Sequence, residues 1–149
     1  MKFLLIIALL LIAQISPAYA KSPAPKAPCR LEVDNAHLSS NISKKEGRLA
    51  VKVVFWSVCN LAQENVRIKY QIMKTGLDGD HQVTPISYKE YSFVAANSEI
   101  VIQDIFAYCK NTLRTNFYGK ASATATVHGE KVLAPEVRSK ITVPLNCGT

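Results

Sequence analysis

The chain has 149 residues, a length that suits one domain rather than two. A domain of this size buries roughly two-thirds of its unfolded surface and needs no metal or partner to fold. The net charge of +7 suits an anionic partner such as a cell-wall polymer, a membrane surface or nucleic acid. It equally suits an exported protein with no such use, because net charge governs solubility and non-specific binding rather than fold.

Residues 1–20 read as a signal peptide. Lys2 supplies a positive start, Phe3 to Ala13 is an uncharged apolar run, and Ala18-Tyr19-Ala20 is a small–x–small cleavage signature. The run is shorter than the roughly 20 residues a membrane-spanning helix needs. The mature chain is expected to begin at Lys21, with no lipid-anchor cysteine and no later transmembrane segment. Residues 21–28, KSPAPKAP, form a proline-rich tail suited to an extended spacer. Residues 29–149 form the folded domain.

Cys29 to Asp34 reads as a first strand, with Leu31 and Val33 on one face. Asn35 to Gly47 reads as a polar connection. It contains His37 and the sequence Asn41-Ile42-Ser43, a glycosylation acceptor of consequence only in a eukaryotic secretory pathway. Arg48 to Asn60 is the most strand-like run and carries the only tryptophan, Trp56. Leu49, Val51, Val53 and Phe55 share one face, and Ala50, Val54, Trp56 and Val58 share the other. Apolar residues on both faces predict a single central strand covered on both sides. Trp56 is then a packing residue, or else an exposed platform for a ligand.

Glu64 to Lys74 alternates Val66, Ile68, Tyr70 and Ile72 with Arg67, Lys69, Gln71 and Met73, which predicts one core face and one wet, basic face. Gly76 to His81 reads as a turn. Asp78 and Asp80 lack the further ligands of a calcium loop. His81 next to Asp80 suggests acid–base chemistry, but no nucleophile pattern accompanies it. Val83 to Val94 is broken by Pro85 and reads as an edge. Glu99 to Ile105 is a further strand, and Phe106 to Arg114 is a crossing that holds Cys109. Thr115 to His128 is a long strand whose small residues, Gly119, Ala121, Ala123 and Ala125, imply close approach of an opposing sheet. A hairpin turn is expected at Gly129-Glu130. Val137 to Leu145 reads as the closing strand.

About seven strands with turns between them predict an all-β, antiparallel β-sandwich of immunoglobulin-like architecture. The family hallmarks are not met: Trp56 lies three residues before Cys59, and Tyr108 is adjacent to Cys109. Four cysteines in an exported chain imply two disulfides. If the first two strands pair antiparallel, Cys29 meets Cys59. The terminal hairpin would likewise bring Cys147 to Cys109. The rival pairing is Cys59–Cys109 with Cys29–Cys147.

The stretch Cys29 to Ser40, CRLEVDNAHLSS, followed by a strand ending Val58-Cys59-Asn60 and by two later cysteines, resembles small exported bacterial proteins of unknown function. The resemblance covers most of the mature chain. It implies secretion and two disulfides, and it implies no activity.

No catalytic residue, metal site or cofactor is assigned. His37, His81 and His128 are scattered, and Met73 sits at no ligand spacing with any of them. The expected function is a secreted or periplasmic, non-enzymatic binding module for an anionic envelope polymer or membrane surface. Its face would comprise Arg67, Lys69, Lys120, Arg138 and Lys140, with Tyr118 and neighbouring hydroxyls. The same cations would also serve simply to keep a sheet soluble and its edges unpaired. The alternatives are a secreted hydrolase with an unrecognised active site and a purely structural exported protein.

Overall fold

The computed structural model describes residues 29–149; the expected signal peptide, the cleavage site and the proline-rich tail lie outside them. The described chain is all-β apart from one short helix, and its sheets are antiparallel. Its strands are β1 (Cys29–Val33), β2 (His37–Leu38), β3 (Ala50–Lys52), β4 (Phe55–Cys59), β5 (Gln63–Gly76), β6 (Gly79–Gln82), β7 (Ser87–Val94), β8 (Glu99–Ile102), β9 (Phe106–Tyr108), β10 (Asn111–Val127), β11 (Glu130–Arg138) and β12 (Val143–Gly148). Among the described residues there are twelve strands rather than about seven, in three sheets. Two sheets have three strands, in the orders β1-β4-β8 and β2-β3-β9. The third has six, with β11-β10-β5-β6 as its path, β12 on β10 and β7 on β5.

β10 is the organising element. It pairs with β5 along one edge and with β11 and β12 in succession along the other. The run expected to be one central strand is instead divided. Its first part, β3, is central in the β2-β3-β9 sheet, and its second, β4, is central in the β1-β4-β8 sheet. The switch falls at Val53-Val54. Val51, Val53, Phe55 and Cys59 face inward and are buried; on the other face Ala50 is buried too, whereas Val54, Trp56 and Val58 are only half-buried. From Val54 onward the second apolar face is therefore not covered by another layer.

The polar connection before it contains α1 (Ser40–Glu46). Ser39 caps it by accepting a hydrogen bond from Ile42 N–H, and Gly47 ends it with a left-handed φ of 64°. The helix buries no residue, so it has no apolar stripe. Asn41 is exposed on it.

Core residues come from all three sheets, including Val33, Val51, Phe55, Ile68, Ile72, Ile102 and Phe117. The small residues of β10 do permit close approach. An added Cβ at Gly119 would lie 2.5 Å from Val53 Cγ1 and 2.6 Å from Val33 Cγ1. The disulfides are Cys29–Cys59 and Cys109–Cys147. Cys29 is directly opposite Cys59 in the β1–β4 register, as antiparallel pairing of those strands requires.

The C-terminal region departs from expectation in two ways. The β10–β11 turn is His128-Gly129, both with positive φ (52° and 79°), not Gly129-Glu130. Two left-handed residues match the twist of a two-residue hairpin. The closing strand is two strands separated by residues 139–142, so Lys140 lies in a connection and off the sheet.

Candidate functional site

Four of the five cations expected to form a face do project from one sheet. Across its register Arg138 is opposite Lys120 and Lys120 opposite Gln71, while Ser122 is opposite Lys69 and Thr124 opposite Arg67. Directly opposed residues of antiparallel strands share a face. The sheet also brings carboxylates to the same rows. Arg67 Nε lies 3.0 Å from Glu90 Oε1, and its guanidinium covers the Tyr88 ring at 4.2 Å. Lys120 Nζ is 3.5 Å from Glu136, and Arg138 is 3.2 Å from Glu136 and 3.6 Å from Asp80. Tyr118 is almost buried and donates its hydroxyl hydrogen to Asp80 Oδ2 at 2.7 Å. Burial, and then this hydrogen bond, push the Tyr118 phenol up to about 12.

Apart from Lys69, the cations of this face are therefore paired with carboxylates. Exposed pairs of this kind are individually worth roughly 0–1 kcal/mol. The middle of the face is also drier than its sequence suggests. Gln71 and Met73 are buried, and Gln71 Oε1 has no hydrogen-bond partner among the described residues.

A different set of cations converges at one end of this sheet. The β5–β6 hairpin places Lys74 opposite His81, and β10 places Asn116 opposite Thr75. Together with Gly76, Asp78, Arg114 and Thr115 these residues line a cleft of about 470 Å³. Lys74 Nζ donates to a main-chain oxygen of Thr149 at 2.7 Å. His81 Nε2 donates to Asp78 Oδ1 at 2.8 Å, and this bond holds the Asp78 carboxyl below its usual range. Arg114 is exposed and has no carboxylate partner among the described residues.

The two aspartates of the hairpin serve separate partners, Asp78 with His81 and Asp80 with Tyr118 and Arg138. His37 lies on β2, His81 on β6 and His128 in the β10–β11 turn. Among the described residues no three of His, Cys, Asp and Glu are grouped as a metal would require.

Trp56 lies on the outer face of the β1-β4-β8 sheet, half-buried, with its indole N–H donating to Asp34 Oδ2 at 2.9 Å. It shares a shallow cleft of about 150 Å³ with Arg30, Glu32, Val58 and Glu99. Arg30 and Glu32 pair at 3.0 Å there.

The end cleft escaped sequence reasoning because Arg114 sits in what reads as a crossing and Lys74 at the end of an alternating strand. Only the long-range pairing of β5 with β10 joins them. No protein-family model matches the chain, and no curated protein matches it.

Proposed function

We propose that the protein is an exported β-sandwich module that binds an anionic partner outside the cytoplasm, using the end cleft. The observation that carries this reading is the convergence of Lys74, His81 and Arg114 on one opening. Among the lining residues the one carboxylate side chain is Asp78, Lys74 also donates to a main-chain oxygen of Thr149, and Thr75, Thr115 and Asn116 supply hydrogen-bonding groups. Concave sites with a few convergent polar groups favour ligand binding over an open sheet. On the sheet face, by contrast, Arg67, Lys120 and Arg138 already have carboxylate partners. An incoming anion there must compete with them.

Export is the second part of the reading. Two disulfides fit an oxidising compartment. Residues 1–20 supply the export signal, and the resemblance of Cys29 to Ser40 to small exported bacterial proteins agrees with it. N-terminal sequencing of protein recovered outside the cytoplasm is expected to begin at Lys21; Met1 in that fraction would reject export by cleavage.

The binding test is capture on an immobilised anionic polymer such as heparin. The protein should bind at low ionic strength and elute as salt rises, because exposed charges are screened over about 8–10 Å near physiological salt. K74Q/R114Q should lose capture. R67Q/K69Q/R138Q/K140Q should keep most of it. The reverse pattern would return the site to the sheet face.

One observation favours a hydrolase instead: His81 and Asp78 are hydrogen-bonded within the cleft. The hydroxyls that line it belong to Thr75 and Thr115. Turnover of a chromogenic ester or phosphodiester that disappears in H81N would establish that reading over simple binding.

A further inference from the structure

The end of the sheet that carries the cationic cleft also carries two uncovered leucines. Leu77, in the two-residue turn between β5 and β6, is fully exposed at 111 %, and Leu113, near the start of β10, is 69 % exposed. Both adjoin the cleft in the chain. Gly76 and Asp78 flank Leu77, and Arg114 follows Leu113. The strand register puts both at the same end of the sheet. Asn116 is opposite Thr75, and Leu113 and Leu77 both lie beyond that pair, one near the start of β10 and the other just past the end of β5.

A leucine at the tip of a hairpin gains nothing from the core of its own chain. Apolar side chains that flank a cluster of cations suit the boundary of a lipid bilayer. There the cations meet headgroup phosphates while the apolar groups enter the acyl edge. A soluble polyanion uses the cations and leaves the leucines in water.

We propose that this end of the protein docks on an anionic phospholipid surface. Lys74 and Arg114 lie against headgroup phosphates, and Leu77 and Leu113 insert beside them. The proposal rests on the anion-binding reading of the cleft and adds two things to it: the source of the anion and an apolar contribution to affinity.

The test uses the mature protein and sedimentation with vesicles of phosphatidylcholine alone or mixed with phosphatidylglycerol. The parent protein should sediment with the mixed vesicles and not with phosphatidylcholine alone. L77S/L113S should weaken vesicle binding by about tenfold or more, since burying each leucine contributes a factor of that order. Both leucines are exposed, so this variant should keep the parent's thermal midpoint and its salt-dependent capture on heparin. K74Q/R114Q should lose both vesicle binding and capture.

Vesicle binding by L77S/L113S as tight as the parent's would overturn the proposal. So would release of the parent from mixed vesicles by inorganic phosphate at constant ionic strength, which would identify a free-phosphate site. A parent that binds heparin but no vesicles rejects lipid docking and leaves the cleft reading standing. A parent that binds neither rejects both.

Discussion

Ser139 and Gly119 hold each other by two hydrogen bonds. Ser139 N–H donates to the Gly119 carbonyl at 3.0 Å, and Gly119 N–H donates to Ser139 Oγ at 2.8 Å. The same hydroxyl donates to the Asp34 carbonyl at 2.7 Å. One side chain thus finishes the β10 edge where β11 ends, and ties it to the chain leaving β1. Ser139→Ala would leave the buried Gly119 N–H without its partner. The expected cost is about 1–3 kcal/mol, read as a lower urea midpoint with unchanged slope. An unchanged midpoint would mean that water replaces the hydroxyl at no cost.

Gly119 itself is required by space. Its φ is ordinary, but Val33, Val53 and Phe55 occupy the volume a side chain would take. Gly119→Ala forces these core residues apart, and overpacking of this kind costs roughly 1–3 kcal/mol. Thermal unfolding should show the loss, and an alanine variant as stable as the parent would contradict the close approach. Paired with a Val53→Ala change, the substitution should recover part of the loss, because residues in contact are not additive.

The parts of the fold legible in the sequence are those set by period-two burial and by the cysteines. Val66, Ile68, Tyr70 and Ile72 alternate and are all buried in β5. Pro85 falls between β6 and β7, and β7 pairs only with β5 among the described strands. The strand switch at Val53-Val54 was not legible, because β-branched residues continue across it and nothing local marks a change of partner. The helix α1 carries its signals only in its caps, Ser39 and Gly47, since it buries no apolar stripe. At the β10–β11 turn, glycine-first chemistry points to Gly129-Glu130, whereas His128 accepts a left-handed conformation and shifts the turn by one residue. The cationic end cleft depends on register between strands far apart in sequence, which local pattern does not encode.

The disulfides close long segments, with sequence separations of 30 and 38. In the chain-entropy model each contributes about 3–4 kcal/mol by restricting the unfolded state. Non-reducing peptide mapping should recover Cys29–Cys59 and Cys109–Cys147 peptides and no Cys59–Cys109 peptide. Replacing Cys109 and Cys147 together by alanine should lower stability by that order. It also removes a covalent link between the β9–β10 connection and β12, so amide exchange should rise first in β12.

Tyr118 gives the sheet face a pH dependence of definite sign. Its folded-state value, pushed up to about 12, lies above the ordinary tyrosine value of about 10. The folded state therefore holds the phenolic proton more tightly than the unfolded state does. The associated stability is fully present below about pH 10 and is lost as pH rises through the folded value. Tyr118→Phe removes the donor to Asp80 and is expected to cost about 0.5–1.5 kcal/mol at neutral pH. It should also lose less stability than the parent as pH is raised from about 9 to about 11.5. Other tyrosines and lysines titrate in this range, so the informative quantity is the difference between parent and variant in urea unfolding. Parallel stability curves for the two proteins would show that Tyr118 ionises alike in the folded and unfolded states, and would remove Asp80 as its hydrogen-bond partner in solution.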